Sequence, residues 1–228
     1  MPEWWTYGLE DFIPFSARTY YRLFALYNAR IWPAQLVAIA AGIGLLVLQR
    51  GGDAWRGRLT AAILAAAWTW VAWAYFAWHY ATINWAAQYI ALAFVLQAAL
   101  LLWDGVVRRR LRIGHARRAR GRLALGLFVF ALAVEPAIGP LLGRDWRQIE
   151  LFGIAPDPTV VGTLGIVATA DGAARWRLLA IPAAWCVMSG ATLWVLRADD
   201  ALVPPAAAAL AILIAAAPSR SASMSEGS

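Results

Sequence analysis

The chain has no lysine: all twenty basic side chains among its 228 residues are arginine. That excludes any mechanism built on a lysine Schiff base, including a retinal-type photoreceptor. Cysteine is nearly as scarce. Cys186 stands alone, which removes a disulfide framework, a thiol pair and a CxxC metal knuckle. Charge is thin too, at 14% of residues against about a quarter in an ordinary soluble domain. The opening MPEWWTYGLEDF is acidic and aromatic and lacks the basic and apolar stretches of a cleavable signal peptide. The first apolar span is therefore expected to act as an uncleaved insertion signal.

What is abundant is apolar length. Hydrophobic residues make up 62% of the chain and its mean hydropathy is +0.59. Several runs exceed the roughly 18 residues that separate a spanning helix from a buried core helix. The expected fold is an all-α, polytopic transmembrane helical bundle of about seven spans with an N-terminal interfacial amphipathic helix. The expected division is an interfacial segment over 1–31, the bundle over 32–217, and a disordered tail over 218–228, where PSRSASMSEGS is small and polar.

The spacing of Tyr20, Leu23, Phe24, Tyr27 and Ile31 predicts one apolar helix face, with Ser16 as its N-cap. Such a helix suits the membrane interface; the alternatives are a helix packed against the bundle and a lid over a pocket. Predicted spans run over about Trp32–Leu48, Leu59–Tyr80, a third to Trp103, Leu123–Leu142, Pro158–Ala170, Arg177–Leu196 and Leu202–Ala217. Ala38, Ala40, Gly42 and Gly44 in the first form small-xxx-small pairs that permit close helix contact. The fourth is expected to kink or unwind at Glu135-Pro136 and Gly139-Pro140. The fifth should start with Asp157 as cap and Pro158 at its first helical position. At about 13 residues it is near 20 Å long, short of the ~30 Å hydrocarbon core, so it either spans with help from LFGIAP or re-enters on one side.

The net charge of +7 would suggest nucleic acid in a soluble protein. Here the excess lies mainly in the Arg108–Arg122 loop, whose eight arginines point to membrane orientation and anionic lipid headgroups instead. No nucleic-acid partner is expected. Held on the cytoplasmic side, that loop sets the N-terminus outside and the C-terminus inside.

Polar groups within a bilayer are costly, so each is a functional candidate. With this threading His79, Asn84, Gln88, Glu135 and Asp157 fall near the outer face, alongside Glu10 and Asp11. Two neighbouring segments broken by Pro and Gly resemble the discontinuous helices that make binding sites in transporters. The expectation is an outward-facing polar pocket for a small solute or ion, with Glu135 its charged group and His79 a proton or metal contact. Each residue also has a structural use: Glu135 can bond a backbone group freed by Pro136, His79 can anchor at the interface, Asp157 can simply cap, and Asn84 and Gln88 can join helices. Cys186 reads as an inert buried thiol.

Enzyme readings fail one by one. There is no HExxH, and His79 with Glu135 is too small a donor set for zinc; no metal and no cofactor are expected. Bis-histidine haem lacks a second intramembrane histidine, since His115 lies in the arginine loop. Asp171-Gly172-Ala173-Ala174-Arg175 resembles the DGxxAR start of membrane phosphatidyltransferases, one residue short and without its later aspartates. Val187-Met188-Ser189-Gly190 lacks the first glycine of the rhomboid serine motif. No phosphate loop or dinucleotide fingerprint is present, and no catalytic residue is assigned.

The segments MPEWWTYGLEDFIPFSARTYYRLFALYN, ELFGIAPDPTVVGTLG and IPAAWCVMSGATLW, with the span opening at Trp32-Pro33, resemble a bacterial family of uncharacterised polytopic membrane proteins. That resemblance implies a bacterial inner (plasma) membrane location and a self-contained unit, and no activity. The expected function is binding or transport of a small solute or ion. The alternative is a structural or accessory subunit of a membrane complex, with aromatic and small-residue faces made for a protein partner or a homo-oligomer.

Overall fold

A computed structural model describes residues 15–111, 119–170 and 172–217. The segment 1–14 with Glu10 and Asp11, the centre of the arginine loop with His115, Asp171, and the tail over 218–228 lie outside the described residues. All the regular elements among the described residues are helical.

Helix α1 (Ala17–Arg30) starts at Ser16, whose Oγ accepts from the Thr19 amide, and buries Tyr20, Leu23, Phe24 and Tyr27. A turn through Trp32-Pro33 leads to α2 (Ala34–Leu48), bent 93° from α1. Gly42 lets α2 approach closely, because a Cβ there would sit 2.3 Å from a Leu132 methyl. The third helix, α3 (Ala54–Trp70), continues as a wider π-helical segment, Val71–Ala77. Helix α4 (Ala87–Leu101) does the same over Leu102–Val107. Next, α5 (Ala119–Val129) passes through a π segment, Phe130–Val134, into α6 (Glu135–Leu141). The prolines there do not unwind the chain: the π segment before Pro136 absorbs the disruption. A loop carries the chain to α7 (Pro156–Val167), then α8 (Gly172–Val195) and α9 (Val203–Ala216).

Four helical stretches, Ala54–Thr82, Ala87–Val107, Arg120–Leu141 and Ala174–Val195, are long and apolar enough to cross a membrane, and a fifth is reached if α1 and α2 make one broken span. The sequence reading expected about seven. The difference lies in α2, α7 and α9, whose 15, 12 and 14 residues fall below the ~20 a crossing takes. The case of α7 has a clear physical reason: all of its residues are buried, enclosed by α3, α5, α8 and α9. It is a core helix whose neighbours face outward in its place.

The chain nevertheless alternates direction. Arg120, at the start of α5, donates to the carbonyls of Ala168 (2.8 Å) and Ala215 (3.5 Å), beyond α7 and near the end of α9. Arg177, early in α8, pairs with buried Asp104 at the end of α4 (2.7 Å). Both α7 and α9 therefore return to the end from which α5 starts. That end holds the arginines around the long loop. The opposite end gathers Glu135, Asp145, Glu150, Asp157 and Asp200.

Candidate functional site: a carboxyl-lined pocket

Asp157 comes from the first turn of α7, where the N-cap is Ala155 and Pro156 opens the helix. It is not the cap that the spacing predicted. Its buried carboxylate is held from α8 instead: Trp185 Nε1 donates to Oδ1 and Ser189 Oγ to Oδ2, each at 2.7 Å. Glu135 opens α6 where the π segment ends, and that wider turn aims it inward. Glu150 comes from the loop before α7. α1 fixes that loop: Tyr27 donates through its hydroxyl to Ile154 O (2.8 Å), and Asn28 Nδ2 donates to Arg147 O and Ile149 O.

These groups line one cavity of about 30 Å³, bordered by Arg144, Asp145 and Asp200. One water needs roughly 10–15 Å³ measured this way, so the cavity has room for about two. Glu135 and Glu150 are each half-buried as residues, yet their Oε2 atoms are enclosed. No hydrogen bond from a described residue reaches either oxygen. Burial pushes the Glu150 carboxyl well above its usual range; the negative charges of Asp157 and Asp200 add to this, and Arg144 opposes it.

Arg144 is the one cation among the described residues that line the pocket. It ion-pairs with Asp200, its guanidinium lies 4.6 Å from the Tyr21 ring centroid, and it rests on the bare backbone of Gly139. Asp200 raises its pKa further, against the lowering effect of burial. Glu135, Glu150 and Asp157 thus share the pocket with a guanidinium that Asp200 already holds, while Asp145 at its edge is exposed. Close carboxylates in a poorly solvated space repel one another, so the chemistry open to them is uptake of protons or of a small cation. No group of three or more His, Cys, Asp or Glu among the described residues is placed to hold a metal ion.

Of the five residues the sequence singled out, Glu135 and Asp157 meet here and the other three do not line the pocket. His79 directs Nδ1 to the carbonyl of Ala74 (2.6 Å) and meets Tyr27 edge-on. Asn84 organises the turn into α4, donating to Tyr80 Oη (3.1 Å) and accepting from the Ala86 amide (2.9 Å). Gln88 is exposed. Sequence reasoning missed Glu150, Arg144 and Asp200, all in loops. The signal available for Glu150 was its place directly before the apolar run LFGIAP.

Residues 17–226 match the profile of a family of unknown function (DUF6064). No curated protein matches the chain, and no solved structure does.

Proposed function

From the premise that the chain belongs to that family, which supplies no activity, we propose that it is an integral membrane protein that binds and passes protons or a small monovalent cation through the pocket of Glu135, Glu150 and Asp157. The observation that carries this reading is the pair of enclosed, unpartnered oxygens, Glu135 Oε2 and Glu150 Oε2, beside a cavity of about 30 Å³. An enclosed carboxylate without a protein partner is costly unless water or a cation meets it, and the cavity leaves room for either. The cavity is far below the 300–1,000 Å³ of a typical small-molecule site, so its cargo is water-sized.

The arginine-rich end faces the cytoplasm of a bacterial cell and the acidic pocket opens outside, as the bias of arginine in short loops requires. The return of α7 and α9 to the basic end supports seven passes, with α7 crossing inside the protein and α1 at the outer interface. The accessory-subunit reading predicts an internally satisfied Glu135, and the unpartnered oxygen counts against it.

The test is flux in proteoliposomes carrying an internal pH dye, under an imposed potassium diffusion potential and with sodium or potassium gradients in parallel. The wild-type chain should dissipate one of these gradients, and Glu135→Gln should cut the rate at least tenfold. Equal rates for the two proteins would remove the reading.

A further inference from the structure

A second cavity lies on the outside of the bundle, unconnected with the carboxyl pocket. Ala62, Ala66, Thr69 and Trp73 line it from α3 and its π segment, with Leu102 from the end of α4 and Trp70 as a side wall. It is a groove of about 450 Å³, and it is almost wholly apolar. The α3 residues recur at intervals of three and four, one stripe of the helix. Extended one turn backward, that stripe reaches Arg58.

Arg58 is half-buried and makes no hydrogen bond or ion pair among the described residues. Arg56 beside it is held by Asp53 at 3.0 Å. On the neighbouring helix end, exposed Arg108 lies 5.1 Å from the Trp103 ring centroid, one residue past Leu102. The stripe that lines the groove therefore leads to one guanidinium, and the π segment packed against α3 carries the second just past its end, with the nearby carboxylates Asp53 and Asp104 already paired to Arg56 and Arg177.

The lining chooses the occupant. From Ala62 to Trp73 a helix rises about 16 Å. The groove over that length is open along one side, and its one hydroxyl, Thr69, already donates to the Ala65 carbonyl (2.8 Å). A flexible acyl chain suits such an apolar trough, and the guanidiniums beyond its end select a chain that carries a negative head. Trp70 is fixed as a wall because its Nε1 donates to Tyr27 Oη (3.0 Å), so the groove is preformed.

We infer that the groove on α3 holds one acyl chain of an anionic phospholipid, with Arg58 and Arg108 on its phosphate-bearing headgroup. A neutral zwitterionic lipid offers the same chain and phosphate without the net charge, and the two guanidiniums discriminate between them. Each basic residue near a charged headgroup contributes about fivefold in affinity.

The experiment is native mass spectrometry of the full-length, delipidated protein titrated with phosphatidylglycerol or phosphatidylethanolamine of identical chains. One tightly held phosphatidylglycerol is expected, retained at least fivefold better than phosphatidylethanolamine. Arg58→Gln should reduce that preference about fivefold and leave phosphatidylethanolamine unchanged. Ala66→Leu, which fills the exposed floor of the groove, should abolish retention of both while monodispersity and melting stay as in the wild type. Equal retention of the two lipids overturns the assignment, as does an Ala66→Leu variant that keeps its lipid. So does a disulfide between two copies formed through Ala66→Cys, which would make the groove a contact between chains.

Discussion

Gly165 offers the sharpest test of how this bundle is held together. A Cβ at that position of α7 would lie 2.7 Å from the Phe128 amide nitrogen, 2.8 Å from the Ala124 carbonyl oxygen and 3.2 Å from the Phe128 Cα. All three are backbone atoms of α5, so no side chain can swing aside. To reach an ordinary contact the two helices must separate by about 0.6–0.7 Å. A radial gap of 0.5–1 Å already forfeits a quarter to a half of each dispersion contact along the seam. Overpacking of this kind costs about 1–3 kcal/mol, offset by up to ~1 kcal/mol of helix propensity gained on replacing glycine by alanine. Gly126 on α5 and Gly44 on α2 have nothing within 4 Å of a built Cβ, so Gly126→Ala and Gly44→Ala should gain that propensity without the clash. Gly165→Ala should therefore fall about 1–3 kcal/mol below either of them. Reversible unfolding in mixed micelles, followed by tryptophan fluorescence with increasing dodecyl sulfate, measures the difference. If Gly165→Ala is as stable as Gly126→Ala, the close backbone contact between α5 and α7 is wrong.

Two further expectations concern the carboxyl pocket. Because the folded-state pKa of Glu150 is raised above the ordinary 4.5, its protonated form favours the native state. That contribution is complete below pH 4.5 and is lost as pH rises through the folded value. Glu150→Gln should flatten the melting temperature between pH 4.5 and 8 and make the variant the more stable protein at the upper end; an unchanged pH profile would contradict this. Asp157→Ala strands the Trp185 N–H and the Ser189 hydroxyl, at about 1–3 kcal/mol each, so it should destabilise more than Trp185→Phe or Ser189→Ala alone. A double-mutant cycle on Asp157 and Trp185 giving no coupling in the same unfolding assay would count against that pair.

Apolar length and charge clustering made most of the helices legible, because these are local properties of the chain. The α1 stripe Tyr20, Leu23, Phe24 and Tyr27 is buried where a period of 3.6 puts it. Phase was lost where the period changed. A π segment adds residues per turn, so residues seven apart, which share a face at 100° per residue, part company here: Trp73 is 52% exposed and Tyr80 is buried. The same widening carries α4 on to Val107, which puts Asp104 inside a helix that apolar length alone ends at Trp103. In the pocket, Glu135 and Asp157 could be foreseen because each marks a helix break. Glu150, Arg144 and Asp200 could not, because their meeting depends on how α1 pins one loop and how an ion pair ties it to another, which no local pattern encodes.

The enclosure of α7 bears on how the protein is made. A twelve-residue segment hidden on every side is too short to partition into lipid unaided, yet α8 and α9, which cover it, are synthesised after it. Folding must hold this segment beside α3 and α5 until the two later helices arrive. Completion of the fold is thus a cooperative closing step around a late-sealed centre, and a ribosome-stalled chain ending within α9, which frees α7 from the exit tunnel while α8 is still inside it, should leave α7 open to crosslinking.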